Sequence, residues 1–585
     1  MTLWFFQDDA RVVKERAAIT ALDERAPWLK GPTWTLSGSN LAVQADIEIA
    51  GVDYPVVLEY PAFFPTSPPT ISPRNQSERW SGHQYVGGSG EFCLEWGPDN
   101  WEPHITGADL LESAYKLLST EKSDGNEQQR VVESRHETSL GQDLRGSFLR
   151  VAITPECEEF LADLPEGTTG TFDYRVVHRD GNATLHIRSF QPEGFEPWKA
   201  PELPNTTFLT RGLSSKGTFA RTGLADDSFD GASHETLGAA LEAYGCESAL
   251  ALSDGMDRGF SILLLRSSSL EVRAFMLPAE DGESVTQLRT FRTGAADGTR
   301  TGSDEGLLRS KRVGVVGLGS AGSKIALSLA RSGVRGFLLV DDDIFLPANA
   351  ERHTLDYRNV GEHKVDGVKG QLEALASDME VEVARLKLSG QEASSSVSYR
   401  LKQLGDCDII IDATANPRTF NELAETARQT RTAMVWSEVF AGGIGGLVGR
   451  YRPERDPDPF TTRARLHSFL EDKEPAPGSP AEPYAGQAAD GEPLIATDAE
   501  VAVIAHHAVR LVLDIIEERE PSTFPRSLYL VGLEQGWLFD APFHTIAVDV
   551  GEPTETPAEN AQSLSQQTID FLGEVIKRGA GGDGD

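Results

Sequence analysis

Two groups of residues in this chain have the types and spacing for chemistry. The first begins with a β-branched run, Arg312 to Val316, which leads directly into Gly317-Leu318-Gly319-Ser320-Ala321-Gly322. Glycines so spaced let the backbone turn tightly and approach a phosphate, and a helix starting there presents unpaired amides to the same anion. Asp341 stands about twenty residues on, where a carboxylate can bond a ribose hydroxyl. Read alone, this loop suits NAD or FAD as well as ATP. The second group surrounds a thiol. Cys93 follows His83 by ten residues and precedes Trp101 by eight. A thiolate is a strong nucleophile and a moderate leaving group, able to take an acyl group and pass it to an amine. The competing role for a lone cysteine is that of a small buried hydrophobe.

The chain that must position these groups has 585 residues, enough for about three domains. Hydrophobic residues make up 39% and charged residues 25%, an ordinary balance for a globular protein. The net charge is -36, from 54 basic and 90 acidic residues. That argues against nucleic acid or an anionic membrane as partner, but leaves room for a local basic pocket. Leu3 to Phe6 is too short for a signal peptide and is followed at once by Asp8 and Asp9. No apolar run is long enough to span a bilayer. Four scattered cysteines, Cys93, Cys157, Cys246 and Cys407, form neither a disulfide framework nor a Cys-x-x-Cys zinc site. The expected setting is a reducing cytoplasm.

Composition divides the chain. Residues 1–120 are expected to fold as an α+β domain, with a helix near Ala10 to Leu22, alternating runs such as Leu41 to Ile47, and a helix over Gly107 to Leu118. Residues 121–146 read as a linker. Residues 147–280 mix strands (Phe172 to Val177, Ala183 to Ile187, Phe260 to Leu265, Glu271 to Phe275) with a helix near Leu237 to Tyr244, an α/β domain carrying no legible motif. Residues 281–307, rich in Gly, Thr, Asp and Arg, read as a second linker. Residues 308–552 alternate strand and helix as a mostly parallel, Rossmann-like sheet does, interrupted by a Pro-, Asp- and Glu-rich loop at about 453–492. Residues 553–585 are expected to hold a helix and a disordered Gly-rich tail.

The segment after Asp341 separates the nucleotide readings. Asp341-Asp342-Asp343-Ile344-Phe345-Leu346-Pro347-Ala348-Asn349-Ala350-Glu351-Arg352-His353 resembles the D-x-D-x-V-x-x-x-N-x-x-R-Q signature of the ubiquitin-activating family, which includes the bacterial ThiF- and MoeB-type enzymes. Gly361 to Val365 is similar to its G-x-x-K-V, and Asp408 to Asn416 to its strand ending in D-x-T-D-N. Members of that family adenylate a carboxyl terminus with ATP and Mg²⁺. The resemblance implies that Asp341 holds the ribose, Arg352 and Lys364 the triphosphate, and that Asn349 supports the site. It also implies a homodimer, with Arg309 a candidate for the arginine that reaches across. The family's magnesium-binding Asp falls on Ala415, which leaves Asp412 for that role.

The N-terminal block resembles a ubiquitin-conjugating (UBC-fold) domain. Leu58 to Pro69 is similar to its P-x-x-Y-P-x-x-P-P stretch, Gly90 to Leu94 to G-x-x-C-L, and Trp101 to Thr106 to W-x-P-x-x-T. Cys93 is then implied to be the thioester-forming thiol, with His83, Tyr85 and Trp101 around it. The family's H-P-N triad is His83-Gln84-Tyr85 here, so Tyr85 replaces the asparagine that steadies an oxyanion. No cysteine follows Cys407, which precedes a buried-looking strand, so Cys93 is expected to attack the adenylate itself unless a hydroxyl in the 453–492 loop relays the acyl group.

Together these resemblances describe a fused conjugating and activating enzyme like those of bacterial antiphage operons. Its partner is expected to be a ubiquitin-like protein or another flexible polypeptide C-terminus. Two other readings are a sulfur-carrier adenylyltransferase for cofactor synthesis, and a scaffold whose domains have lost activity.

Overall fold

The computed structural model describes residues 3–85, 90–122, 139–179, 181–200, 213–224, 234–250, 260–267, 271–278, 285–293, 305–473, 479–482, 485–487, 493–553 and 566–580. The chain forms two compact units, Met1–Ser147 and Phe148–Asp585.

In the first unit, helix α1 (Asp9–Arg25) is capped by Asp8, whose carboxylate accepts from the Arg11 amide at 2.9 Å. Four strands follow, β1 (Leu29–Ser37), β2 (Asn40–Ile49), β3 (Val52–Tyr60) and β4 (Thr70–Pro73), paired in sequence order as an antiparallel meander. The two-residue period puts Val43, Ala45, Ile47, Val56, Leu58 and Tyr60 in the core. Helix α2 (Gly107–Lys122) packs Leu110, Leu111, Ala114 and Leu118 into the same core. Gly107 is required there, because a Cβ would lie 2.2 Å from the Tyr60 hydroxyl oxygen. A buried ion pair ties these pieces together. Glu15 accepts from Arg11 at 2.9 Å, the Tyr60 hydroxyl at 2.9 Å and the Gly107 amide at 2.8 Å. Arg11 also donates to the Ile105 carbonyl at 2.6 Å. With these hydrogen bonds in place, the cost of burying two charges is offset.

The second unit opens with β5 (Leu149–Ile153), α3 (Pro155–Asp163), β6 (Thr169–Arg179), β7 (Asn182–Pro192), β8 (Trp198–Lys199), β9 (Leu213–Arg221), α4 (His234–Glu242), β10 (Phe260–Arg266), β11 (Val272–Pro278) and β12 (Thr286–Arg292). The strand order is β5-β12-β11-β10-β9-β6-β7-β8, and β5 also pairs with β7, so the sheet closes into a ring. Strand dominates the described part of this block, which sequence composition suggests as α/β. The stretch expected as a second linker contains β12, which pairs with both β11 and β5. Only Leu288 of that strand is buried, so its composition resembles a linker.

A second sheet is built from β13 (Arg312–Val316), α5 (Ser320–Ser332), β14 (Gly336–Val340), α6 (Lys364–Glu373), β15 (Glu380–Ala384), α7 (Ser394–Gly405), β16 (Ile409–Asp412), α8 (Pro417–Thr430), β17 (Ala433–Val439) and β18 (Gly445–Tyr451). Then come α9 (Pro459–Leu470), a small sheet of β19 (Ser479–Glu482), β20 (Ala485–Gln487) and β21 (Pro493–Ile495), α10 (Asp498–Ile516), β22 (Leu528–Gly532), β23 (Thr545–Val548) and α11 (Gln566–Ala580). The order of the large sheet is β15-β14-β13-β16-β17-β18-β22-β23. Its first five strands are parallel and the last three antiparallel. Both faces are covered by apolar cores, which explains the continuous runs Val313–Val316 and Ile409–Ile411. The expected 453–492 loop is in part a helix: Asp458 caps α9 by accepting from the Phe460 and Thr461 amides, and Pro459 opens the first turn. Among the described residues, no helix is long and apolar enough to cross a membrane.

Candidate functional site

The glycine loop joins β13 to α5. Gly317 adopts a positive φ of 85°, and a Cβ on it would lie 2.9 Å from the Thr414 methyl. A Cβ on Gly322 would lie 1.8 Å from the Gly317 carbonyl oxygen. Gly319 is the N-cap of α5 and has no side chain to cap the helix amides. That end of the helix carries partial positive charge and unspent donors. Asp341, at the end of β14, accepts from the Leu318 amide at 2.6 Å and the Asp343 amide at 2.8 Å. Burial raises its pKa, while those two amides oppose the rise.

The cations expected to meet a triphosphate belong to segments bonded to this loop and its helix. The Asn349 side chain accepts from the Leu346 amide at 2.8 Å, and its carbonyl accepts from the Arg352 amide at 3.1 Å, so Asn349 shapes the turn that presents Arg352. The Arg352 guanidinium donates to the Ala496 carbonyl at 3.0 Å. Lys364, the first residue of α6, is ion-paired with Asp343, and its amide donates to the Asp343 carbonyl at 3.0 Å. Arg309 lies at the opposite end of β13, bound to Asp378 at 2.8 Å.

Two further residues tie these parts together: His353, the last position of the motif, which carries no assigned role there, and Lys324, which lies outside it. His353 Nδ1 accepts from the Leu355 amide at 3.0 Å, so Nε2 carries the proton and donates to the Leu318 carbonyl at 2.6 Å. Burial pushes this imidazole down to about 4. It is therefore neutral near pH 7, and its contribution to stability is lost as pH falls below 6.5 toward 4. Lys324, buried in the first turns of α5, bonds Ser320 Oγ at 3.2 Å, Asp498 at 2.6 Å and the Arg352 carbonyl. Its signal in the sequence is a charge inside an otherwise apolar or small-residue helix start. Lys324→Met is expected to weaken ATP binding about tenfold by releasing the Arg352 segment, as calorimetric titration would show.

At the end of β16, Asp412 Oδ1 accepts from the Thr414 amide at 2.9 Å and hydroxyl at 2.6 Å. It is 2% exposed, and burial lifts its pKa to about 6. Ala415 follows with φ 50°, a left-handed conformation that aspartate and asparagine adopt more readily than alanine. Asn416 caps α8, accepting from the Arg418 amide at 2.9 Å. A cavity of about 410 Å³ opens beside this turn, with Asp412, Glu438 and Arg463 among apolar walls that include Phe420, Trp436 and Leu447. The Arg463 guanidinium lies 4.8 Å from the Phe420 ring centre. Burial raises the pKa of Glu438, against the pull of Arg463. Among the described residues no group of three acidic, histidine or cysteine side chains forms a metal cage. A single carboxylate is the donor set suited to Mg²⁺ shared with nucleotide phosphates.

Because the native pKa of Asp412 is raised, the folded chain holds its proton to higher pH than the unfolded chain. Its effect on stability turns unfavourable as pH climbs from about 4 through about 6. Asp412→Asn is expected to melt above the wild type at pH 8, by an amount on the order of 2–3 kcal/mol, with the gap closing below pH 5. Melting curves across that range check the sign.

In the first unit, the Cys93 amide donates to the His83 carbonyl at 2.7 Å, and the Tyr85 amide to the Glu91 carbonyl at 2.9 Å. These pairings set the thiol strand against the His83–Tyr85 strand. Gln84 holds the arrangement from inside, donating to the Gly90 carbonyl at 2.7 Å and accepting from the Trp80 amide at 2.9 Å. The Tyr85 hydroxyl lies 3.9 Å from Cys93 Sγ, and its pKa is raised by burial first and by Cys93 second. The Trp101 indole donates to the Pro65 carbonyl at 2.8 Å, fixing the loop that follows the thiol. Cys157, Cys246 and Cys407 are all buried, whereas Cys93 is partly exposed. Burial pushes Cys157 up to about 12 and Cys407 up to about 11, as expected of inert core thiols.

Residues 299–523 match the ThiF family. The chain is 33% identical over 171 residues to the uncharacterized protein y4qC of Sinorhizobium fredii, covering 28% of this chain and 29% of that protein. It is 37% identical over 121 residues to the adenylyltransferase and sulfurtransferase uba4 of Aspergillus clavatus, covering 20% of this chain and 23% of that protein. It is 31% identical over 143 residues to the ATP-dependent ubiquitin transferase-like protein Cap2 of Enterobacter hormaechei, covering 24% and 23%. Each similarity spans less than a third of the relative's length. The C-terminal region of the chain therefore carries an adenylation domain of the ThiF family.

Proposed function

We propose that this chain adenylates the C-terminus of a ubiquitin-like protein, or a similar flexible polypeptide tail, with ATP, and carries the activated acyl group on Cys93 before transfer to a target. The observation that carries the reading is the joining of the glycine loop to the Asp341–Lys364 segment by Asp341, Lys324 and His353. The amides of α5 and the cations of Arg352 and Lys364 receive the phosphates, and Asp341 receives the ribose. Attack of the tail carboxylate on the α-phosphate, with pyrophosphate leaving as the α–β anhydride bond breaks, brings negative charges together, and these fixed cations lower that barrier by position and electrostatics. Asp412 would hold Mg²⁺, which neutralises phosphate charge when bound. The cavity beside Asp412 and Asn416 accepts apolar side chains that precede the tail's carboxylate. Cys93 attacks the acyl adenylate, AMP leaves, and the thioester that forms passes its acyl group to an amine or hydroxyl. Tyr85 stands beside the thiol as a hydrogen-bond donor to the oxyanion of that step.

The chain is proposed to act as a homodimer through its adenylation domain, in antiphage defence in bacteria. The test is ATP–pyrophosphate exchange with purified ubiquitin-like proteins from neighbouring genes. Exchange that depends on the modifier and falls at least hundredfold in Lys364→Ala is expected. No exchange with any such modifier would sink the reading.

A further inference from the structure

At one end of the ring of strands in the second unit, two arginines stand side by side. Arg221 is the last residue of β9 and Arg266 the last of β10, and in the parallel pairing of those strands they are direct register partners. Both are buried, at 8% and 4% exposure. Like charges facing each other across a pair of strands repel, and the repulsion grows out of water. Arginine cannot relieve it by releasing a proton.

Among the described residues, the neighbouring groups compensate this charge only in part. Arg221 donates to the carbonyls of Thr222 and Ser267, the latter at 3.3 Å, and the Glu166 carboxylate paired with it is 3.9 Å away on a half-exposed side chain. The Arg221 Nε is buried with no hydrogen-bond partner among the described residues. Arg266 is barer still: Nε and Nη1 are both buried and have no partner among the described residues. Glu158, the carboxylate whose field acts most on Arg266, is already held by Arg292, through Nε at 2.9 and 2.8 Å and through Nη2. Cys157 adds no anion, since burial keeps its thiol protonated to about 12. Among the described residues, Arg221, Arg266 and Arg292 stand near Glu158 and Glu166, with Glu156 beside Cys157, and Glu158 is already taken by Arg292. Buried donors without partners are rare in folded proteins and commonly mark a missing ion or ligand.

We propose that Arg221 and Arg266 form a binding site for a small oxyanion, a carboxylate or phosphate group, at this end of the ring. One such group supplies acceptors for the orphaned N–H groups, in charge-assisted hydrogen bonds. The site rests on Arg221 and Arg266 and uses no residue of the nucleotide loop.

The test is thermal melting of the full chain with sodium phosphate or, separately, sodium acetate, at constant ionic strength held with chloride. Arg266→Gln is melted alongside, and ATP titration confirms that the variant keeps a working nucleotide domain. At least one anion is expected to raise the wild-type midpoint by several degrees and to raise the Arg266→Gln midpoint by less than a third as much. Phosphate bound at the nucleotide loop raises both chains equally and cancels in the difference. A response to acetate assigns a carboxylate ligand, and one to phosphate alone a phosphoryl ligand. If Arg266→Gln does not fold, Arg266→Lys serves in its place, keeping the charge but losing the planar fork. An equal response in wild type and variant, or no response to either anion, overturns the proposal.

Discussion

Gly322→Ala is expected to lose nucleotide binding roughly hundredfold or more, while Gly370→Ala in α6 leaves it unchanged. Both positions are helical glycines, and a general preference for alanine in helices would favour each substitution by about 1 kcal/mol. Space decides between them. At Gly370 an added Cβ meets nothing within 4 Å, so the helix gains propensity at no steric cost. At Gly322 the added carbon falls 1.8 Å from the Gly317 carbonyl oxygen, and 3.2 Å from the Ala413 Cβ. Neither neighbour is the far end of a flexible side chain, so the backbone of the loop must open. Gly317 is itself held at positive φ, with 3.1 Å between its own added Cβ and the Ala413 carbonyl carbon. The displacement therefore reaches the end of β16 and the Asp412 turn. It also disturbs the Leu318 amide and carbonyl, which bind Asp341 and His353. Calorimetric titration with ATP measures the binding, and melting curves separate local loss from unfolding. A Gly322→Ala chain that binds ATP normally would show that the loop has slack this packing does not display.

Much of this site is legible in the sequence because its parts are local. The glycine spacing, the strand before it and Asp341 after it all lie in one strand–helix–strand unit, where backbone sterics dictate the residue types. Asn349, Arg352 and Lys364 come from a connected pair of turns and a helix start, close enough in sequence for a motif to hold them. Lys324 and His353 are less visible. Their partners are backbone carbonyls and Asp498, and a carbonyl has no sequence signature. The cavity beside Asp412 is less visible again, because it joins the ends of β16 and β17 to α9, and a Pro- and Asp-rich stretch conceals that helix. The middle ring was hidden for a related reason. β12 buries one apolar residue, and its place in the fold depends on pairing with β5, more than a hundred residues earlier. The arginine pair arises only when β9 and β10 align in register.

Cys93→Ala is expected to abolish the covalent adduct with the modifier while ATP–pyrophosphate exchange persists at wild-type rate. Adenylation needs only the nucleotide loop and its cations, whereas capture of the acyl group needs the thiol. Mass spectrometry of the intact chain after reaction with ATP and modifier reads the adduct directly. An adduct that survives Cys93→Ala places the carrier elsewhere; the hydroxyls of α9 and the small sheet after it are the next to test. Tyr85→Phe refines the prediction, because it removes one oxygen and keeps the ring. If the phenol steadies the oxyanion when the thioester is attacked, this variant still charges Cys93 but discharges to an acceptor about tenfold to hundredfold more slowly. The contact to Sγ is long, at 3.9 Å, so the hydroxyl adds little to the resting thiol and its larger effect falls on the discharge step. Single-turnover discharge of the preformed thioester isolates that step from activation. Equal discharge rates in wild type and Tyr85→Phe would assign the tyrosine to packing alone, and oxyanion stabilisation would then fall to the backbone amides of the thiol loop.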